Sequence, residues 1–152
     1  MRALGIAVKV SKFRSTVRLV LIEGAKGADE TTASVVEQLS VAGDETDWAT
    51  HVGNVAQAVR GHAKSMNADT IVVRRADQAP QGRNSDGPKI RLMIEGGIVA
   101  ACLDVTHDVR ITSGQECGKT RDTTKVDLDG RAEAWLGRTH GEAAAAALSG
   151  LV

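Results

Sequence analysis

Three strand-like runs fill the first 41 residues, and the loops between them are too short to hold a helix. Residues 2–10 alternate, with Leu4, Ile6, Val8 and Val10 on one face and Ala3, Gly5, Ala7 and Lys9 on the other. Residues 16–23 (TVRLVLIE) are apolar on both faces apart from Arg18, which suits a central strand. Residues 32–41 (TASVVEQLSV) are more polar and suit a sheet edge. Ser11 to Ser15 reads as a hairpin loop, and Gly24 to Thr31 as a turn around Asp29-Glu30. Strands joined this closely must pair antiparallel, because a parallel pair needs a crossover of roughly a dozen residues or more. The small Ala3, Gly5 and Ala7 leave room for a helix to lie against their face.

After this meander the period changes. Val52, Val55, Ala56, Val59, Ala63 and Met66 fall at helical spacing and predict a helix over 48–67, with Asp47 as its cap. Residues 69–75 (DTIVVRR) predict a fourth strand, and 76–89, which hold both prolines, a loop. A second helix is expected over 89–106, burying Ile90, Ile94, Gly97, Ile98, Ala101, Cys102 and Val105. Gly96-Gly97 inside it costs about 1 kcal/mol per glycine relative to alanine, so a close neighbour is expected there. Residues 108–112 (DVRIT) predict a fifth strand, 113–130 an irregular polar stretch, and 131–151 a last helix with an alanine run. The order β-β-β-α-β-α-β-α needs a mixed sheet with helices on its faces. This is the RNase H-like topology: one α/β domain over 1–152, a five-stranded mixed sheet of order 3-2-1-4-5, helices on both faces.

Composition narrows the partners. The 152 residues are 42% apolar and include only three aromatics, Phe13, Trp48 and Trp135, which disfavours single-strand binding by base stacking. No apolar run approaches the roughly 18 residues of a membrane span, no secretory leader is evident, and two cysteines make no disulfide scaffold. A cytoplasmic protein without a membrane partner is expected. Nineteen basic and nineteen acidic residues cancel, yet they are distributed in blocks. Residues 1–22 carry +5 with no acid, 23–47 carry −6, 48–93 carry +4 and 94–152 carry −3. A local basic face attracts phosphate whatever the total charge.

The opening Ala3-Leu4-Gly5-Ile6, the segment RLMIEGGIVAAC (Arg91 to Cys102) with the strand and Gly118-Lys119 after it, and the run Thr139-His140-Gly141-Glu142-Ala143-Ala144-Ala145 together resemble the RuvC-type Holliday-junction resolvases. The resemblance spans about residues 2–151. It implies junction cleavage by two Mg²⁺ ions about 4 Å apart, held by carboxylates from the first strand, the fourth strand and the last helix. In this chain the matching positions are Ala7, Arg74, and either Gly141 and Ala144 or, one residue on, Glu142 and Ala145. The resemblance therefore implies a RuvC-like protein without the two-metal site, needing no cofactor, homodimeric, and binding duplex or branched DNA. Lys9, Lys12, Arg14, Arg74, Arg75 and Lys119 are the expected phosphate contacts, with bases standing where acids would be. An eroded site, in which Arg74 pairs with Glu142 or Asp77, is the competing expectation. A second alternative is an active Mg²⁺-dependent nuclease with a rearranged site using Glu142 and Asp77. A third is a small-ligand or partner-binding module of universal-stress type, suggested by the 48–67 helix leading into DTIVVRR.

Other constellations are weaker. Ser113 to Thr120 (SGQECGKT) nearly spells a phosphate-binding loop, but Ser113 stands where its first glycine belongs, and no apolar-periodic helix follows. His51 and His62 share a helix face three turns apart, too far for one metal, and His107 and His140 have no near partner in sequence. All four are expected on helix surfaces or at caps. Cys102 falls on a buried stripe, and Cys117 is expected in a polar loop.

Overall fold

The computed structural model describes residues 1–77 and 86–152. Strands β1 (Arg2–Ser11), β2 (Arg14–Glu23), β3 (Ser34–Gly43), β4 (Thr70–Arg74) and β5 (Val109–Thr112) form one sheet of order β3-β2-β1-β4-β5. The first three pair antiparallel, on connections too short for anything else. β4 lies parallel to β1, and β5 parallel to β4. Helices α1 (Trp48–Met66) and α2 (Asp86–Cys102) lie in the two connections that make these parallel pairs possible. The antiparallel pairing of β1 with β2 removes the universal-stress reading, which needs a parallel opening.

Local sequence accounts for most boundaries. The β1–β2 turn is Lys12-Phe13, with Lys12 left-handed (φ 57°) and Ser11 opposite Arg14. At the start of α1, the Asp47 carboxylate accepts from the Thr50 N–H at 2.9 Å; Asn67 ends the helix in the left-handed conformation. β3 is an edge strand, as its polarity suggests.

The two sheet faces are packed differently. Leu4, Ile6, Val8, Leu19, Ile71 and Val73 meet α1 and α2 through Val55, Val59, Ile90, Ile94 and Ile98. The opposite face, Ala3, Ala7, Val20, Ile22 and Val72, meets the alanines of α5 (Gly141–Gly150). Here the small-residue reading holds: a side chain at Gly5 would collide with the backbone of Ala143 and Ala147. Helix α5 is buried along almost its whole length, consistent with its lack of a polar face.

Several expectations are corrected. Helix α2 starts at Asp86, so Pro88 sits in its first turn, where a missing N–H is tolerated. It ends at Cys102 rather than 106. The rest of the expected proline loop, residues 78–85, lies outside the described residues. The stretch 113–130 is not irregular: α3 (Gly114–Thr120) and the start of α4 (Lys125–Leu136) occupy it. Gly137, at φ 88°, ends α4 and splits the expected last helix into α4 and α5. Only one glycine of the α2 pair has a close neighbour. A Cβ on Gly97 would meet Val52 Cγ1 at 2.9 Å, whereas Gly96 faces open space.

Candidate functional site at the strand ends

In the parallel pairing of β1 with β4, Ala7 and Arg74 are register partners. Strand alternation turns both toward the α5 side of the sheet. Arg74 is 1% exposed, and its guanidinium donates to both carboxylate oxygens of Asp129 on α4, at 2.6 and 2.9 Å. Burial opposes the charge on Arg74, but the hydrogen bonds and charge of Asp129 outweigh it, with Glu142 adding to the pull, so its pKa is raised. Arg74 thus pairs with Asp129, a residue that sequence reasoning passed over, and not with Glu142 or Asp77. Asp129 is i+4 from Lys125, which lies 3.3 Å from it and 3.4 Å from Asp77.

Asp77, immediately beyond β4, accepts from the Gly114 N–H at 2.9 Å. Burial works against its charge, but that hydrogen bond and Lys125 prevail and hold its pKa low. The Ser113–Thr120 segment is no phosphate loop: Glu116 takes the Ser113 N–H and Ser113 Oγ the Glu116 N–H, forming a capping box. Asp77 takes the Gly114 N–H between them. Those donors are already satisfied. The Ser-x-x-Glu spacing of that box was the sequence signal for α3.

A cleft of about 420 Å³ opens beside Ala7. β1 supplies Ala7, Val8 and Lys9, β2 supplies Arg18, and α2 supplies Arg91. Glu133 of α4, Arg138 and Thr139 of the next turn, and Glu142 of α5 close its other side. Four cations therefore face two carboxylates. A side chain added at Gly141 would meet Glu133 Cγ at 2.5 Å, so Glu133 fills the space such a side chain would need. Glu142 and Asp77 do not meet: Asp77 lines a separate hollow with Arg75, Ser113, Gln115 and Lys125. Among the described residues no three His, Cys, Asp or Glu side chains come together in a metal-holding group.

Of the six expected phosphate contacts, Arg74 is corrected, because its guanidinium is buried and occupied by Asp129. Lys9 lines the cleft, whereas Lys12 and Arg14 stand exposed at the hairpin turn. Arg75 lies 3.7 Å from Glu116 beside the second hollow, and Lys119 is exposed on α3. Arg18, Arg91 and Arg138 were not singled out. Arg18 is legible as the one charge in the interior of an apolar strand; Arg91 and Arg138 reach the cleft only through tertiary packing.

Two further expectations fail on burial. His51 is fully buried rather than superficial: Nε2 lies 2.7 Å from Ser15 Oγ and Nδ1 2.9 Å from the Glu45 carbonyl. The carbonyl can only accept, so Nδ1 donates to it, and Nε2 exchanges the second hydrogen bond with the Ser15 hydroxyl. With Ser15 at 1% and His51 at 0% exposure, this pair is a structural clamp and not a nucleophile. Cys117 is buried on α3 against Thr112 and Ser149. Cys102 is buried as expected, its thiol pushed up to about 11 by desolvation.

No family model and no curated protein matches the chain. Solved structures do. The RuvC structure of Thermus thermophilus is similar at a TM-score of 0.68 and 14% identity, over 98% of this chain and 92% of that one. RuvC of the same organism in complex with a Holliday junction substrate is similar at 0.68 and 13% identity, with the same coverage. The yeast mitochondrial Holliday junction resolvase Ydc2 is similar at 0.57 and 11% identity, over 98% of this chain and 77% of that one. At these identities the likeness establishes the fold, which is the RNase H-like fold in its RuvC form.

Proposed function

We propose that this RuvC-like chain binds duplex or branched DNA through its backbone and does so without a two-metal carboxylate site. The observation that carries the reading is the Ala7–Arg74 register pair. The resemblance puts Mg²⁺-binding carboxylates at these two strand ends, and the chain has a methyl group and a buried guanidinium locked to Asp129. Mg²⁺ demands hard oxygen ligands, and a fixed positive charge repels it. The cleft beside Ala7 keeps the cations Lys9, Arg18, Arg91 and Arg138, which suit a phosphate diester more than a metal ion. The similar Thermus protein was solved with a junction substrate, which makes branched DNA the first ligand to try. A homodimer belongs to the same proposal, with sedimentation as its check.

The decisive experiment pairs a calorimetric titration with Mn²⁺ or Mg²⁺ and a binding assay on a synthetic four-way junction in EDTA. Expected are junction binding in the chelator, no metal-binding isotherm and no cleavage. Magnesium-dependent cleavage abolished by Glu142→Ala would establish the rearranged-nuclease alternative instead. That alternative is weaker because Glu142 and Asp77 line different hollows and Asp77 is already held by Gly114 and Lys125.

A further inference from the structure

The strands of the opening meander are 10 residues long, and α5 covers only part of one of their faces. Ala3, Gly5 and Ala7 of β1 lie under the helix. Beyond them the same face continues in three rows fixed by the pairing register: Arg18 with Ser40, Lys9 with Thr16 and Ala42, and Ser11 with Arg14. All of these side chains are exposed or half-buried. A sheet face left uncovered at its apolar residues would call for a helix or a protein partner. This one carries no apolar group larger than the methyl of Ala42, and no acid.

Charge pairing separates this strip from the eight cations that are neutralised where they stand. Arg2, Arg60, Arg74, Arg75, Arg91, Arg110, Lys125 and Arg131 each lie within 4 Å of a carboxylate. Among the described residues Lys9, Arg14 and Arg18 have no such partner; Arg18 donates to the Ser40 hydroxyl instead. Glu45 accepts from Asn54 and Asp47 caps α1, while Asp44 just past β3 and Glu133 and Glu142 of the cleft make no ion pair with Lys9, Arg14 or Arg18 among the described residues. The +5 of residues 1–22 therefore reaches the surface largely uncancelled, although the chain as a whole is neutral.

We infer that this strip of the β1–β2–β3 face is a track for the phosphate backbone of double-stranded DNA, leading into the cleft at Lys9 and Arg18. The inference rests on the DNA-binding reading above and adds where the duplex runs. Two-residue steps along a strand rise about 6.6 Å, so Arg18, Thr16 and Arg14 extend over about 13 Å. That length matches roughly four base-pair rises of 3.4 Å. Two arginines, a lysine and the hydroxyls of Ser11 and Thr16 are the donor types that position phosphate oxygens. The strip carries no aromatic ring, and Phe13 at the turn is a single ring, so successive unpaired bases have nothing to stack on. This favours a duplex over a single strand.

The test is fluorescence anisotropy of a labelled 25-base-pair duplex with the full chain, titrated across salt concentrations. Wild type is expected to bind with log K falling linearly in log salt. Arg14→Ala, outside the cleft, should reduce that slope by about 0.9. The double substitution Arg14→Glu with Ala42→Glu, one charge reversed and one added, should weaken binding at least ten-fold at 0.1 M salt, with circular dichroism confirming the fold. If these variants bind like wild type while Arg138→Ala weakens binding, the track is wrong and the cleft reading stands. Binding by the wild type to neither duplex nor four-way junction defeats both. Equal or tighter binding to an unstructured single strand of the same length overturns the choice of duplex.

Discussion

The two faces of the sheet are built from the same strands and obey different rules. On the α1/α2 face, branched aliphatic side chains interdigitate, and helix and sheet stand apart by the length of Ile and Leu. On the α5 face, glycine and alanine let helix backbone approach strand backbone, and the buried charge, Arg74, is held by an ion pair. Close packing leaves no slack there. The consequence reaches function: α5 lies close to β1, which brings Glu142 beside Ala7 and Lys9 in the cleft.

The contrast can be broken most severely at the ion pair. Asp129→Ala leaves a 1%-exposed guanidinium with its partner removed and should cost about 3–5 kcal/mol in denaturant unfolding. Replacing both members with apolar residues of similar size should recover most of that loss. A double variant as unstable as the single one would show that the pair is not the cause. Next in size is Gly5→Val, whose Cβ collides with helix backbone rather than a movable side-chain end. A loss at or above the upper end of the ~1–3 kcal/mol overpacking range is expected; a variant melting like wild type would show that α5 can shift.

The faces should also titrate in opposite senses. Glu95 on α2 is buried, and desolvation raises its pKa against the pull of Arg91. A carboxyl raised on folding favours the native state below its unfolded pKa, and that contribution is lost as pH rises through the folded value. Glu95→Gln should therefore raise the melting temperature more at pH 8 than at pH 5. Asp77, held low, behaves inversely: its contribution is present above its unfolded pKa and falls away in acid. Equal shifts for Glu95→Gln at the two pH values would remove Glu95 as the source. The smallest effect is a gain. Gly96→Ala, on an open helix surface, should stabilise by up to about 1 kcal/mol, whereas Gly97→Ala must displace Val52 and should not.

Much of the architecture is legible in the chain. The period-2 runs and short loops determine the meander, the 3.6-residue stripe of α1 and its Asp47 cap determine the first crossover, and Ala3, Gly5 and Ala7 mark where a helix lies close. Helix α5 lies within the last helix that the alanine run predicts; α3 and the first half of α4 were hidden because α3 has no apolar stripe and α4 buries only Leu128 and Ala132. The charge count alone identified the basic block of residues 1–22, and the resemblance to RuvC-type resolvases picked out Ala7 and Arg74 as the odd residues at the strand ends. What Arg74 does was decided by tertiary structure: Asp129 is 55 residues away, and nothing local links the two. The same holds for the cleft, whose Arg91 comes from α2 and Arg138 from the turn between α4 and α5. Local periodicity fixes which face a side chain takes. Which distant charge meets it there depends on how helices dock, and docking is set by packing over the whole sheet.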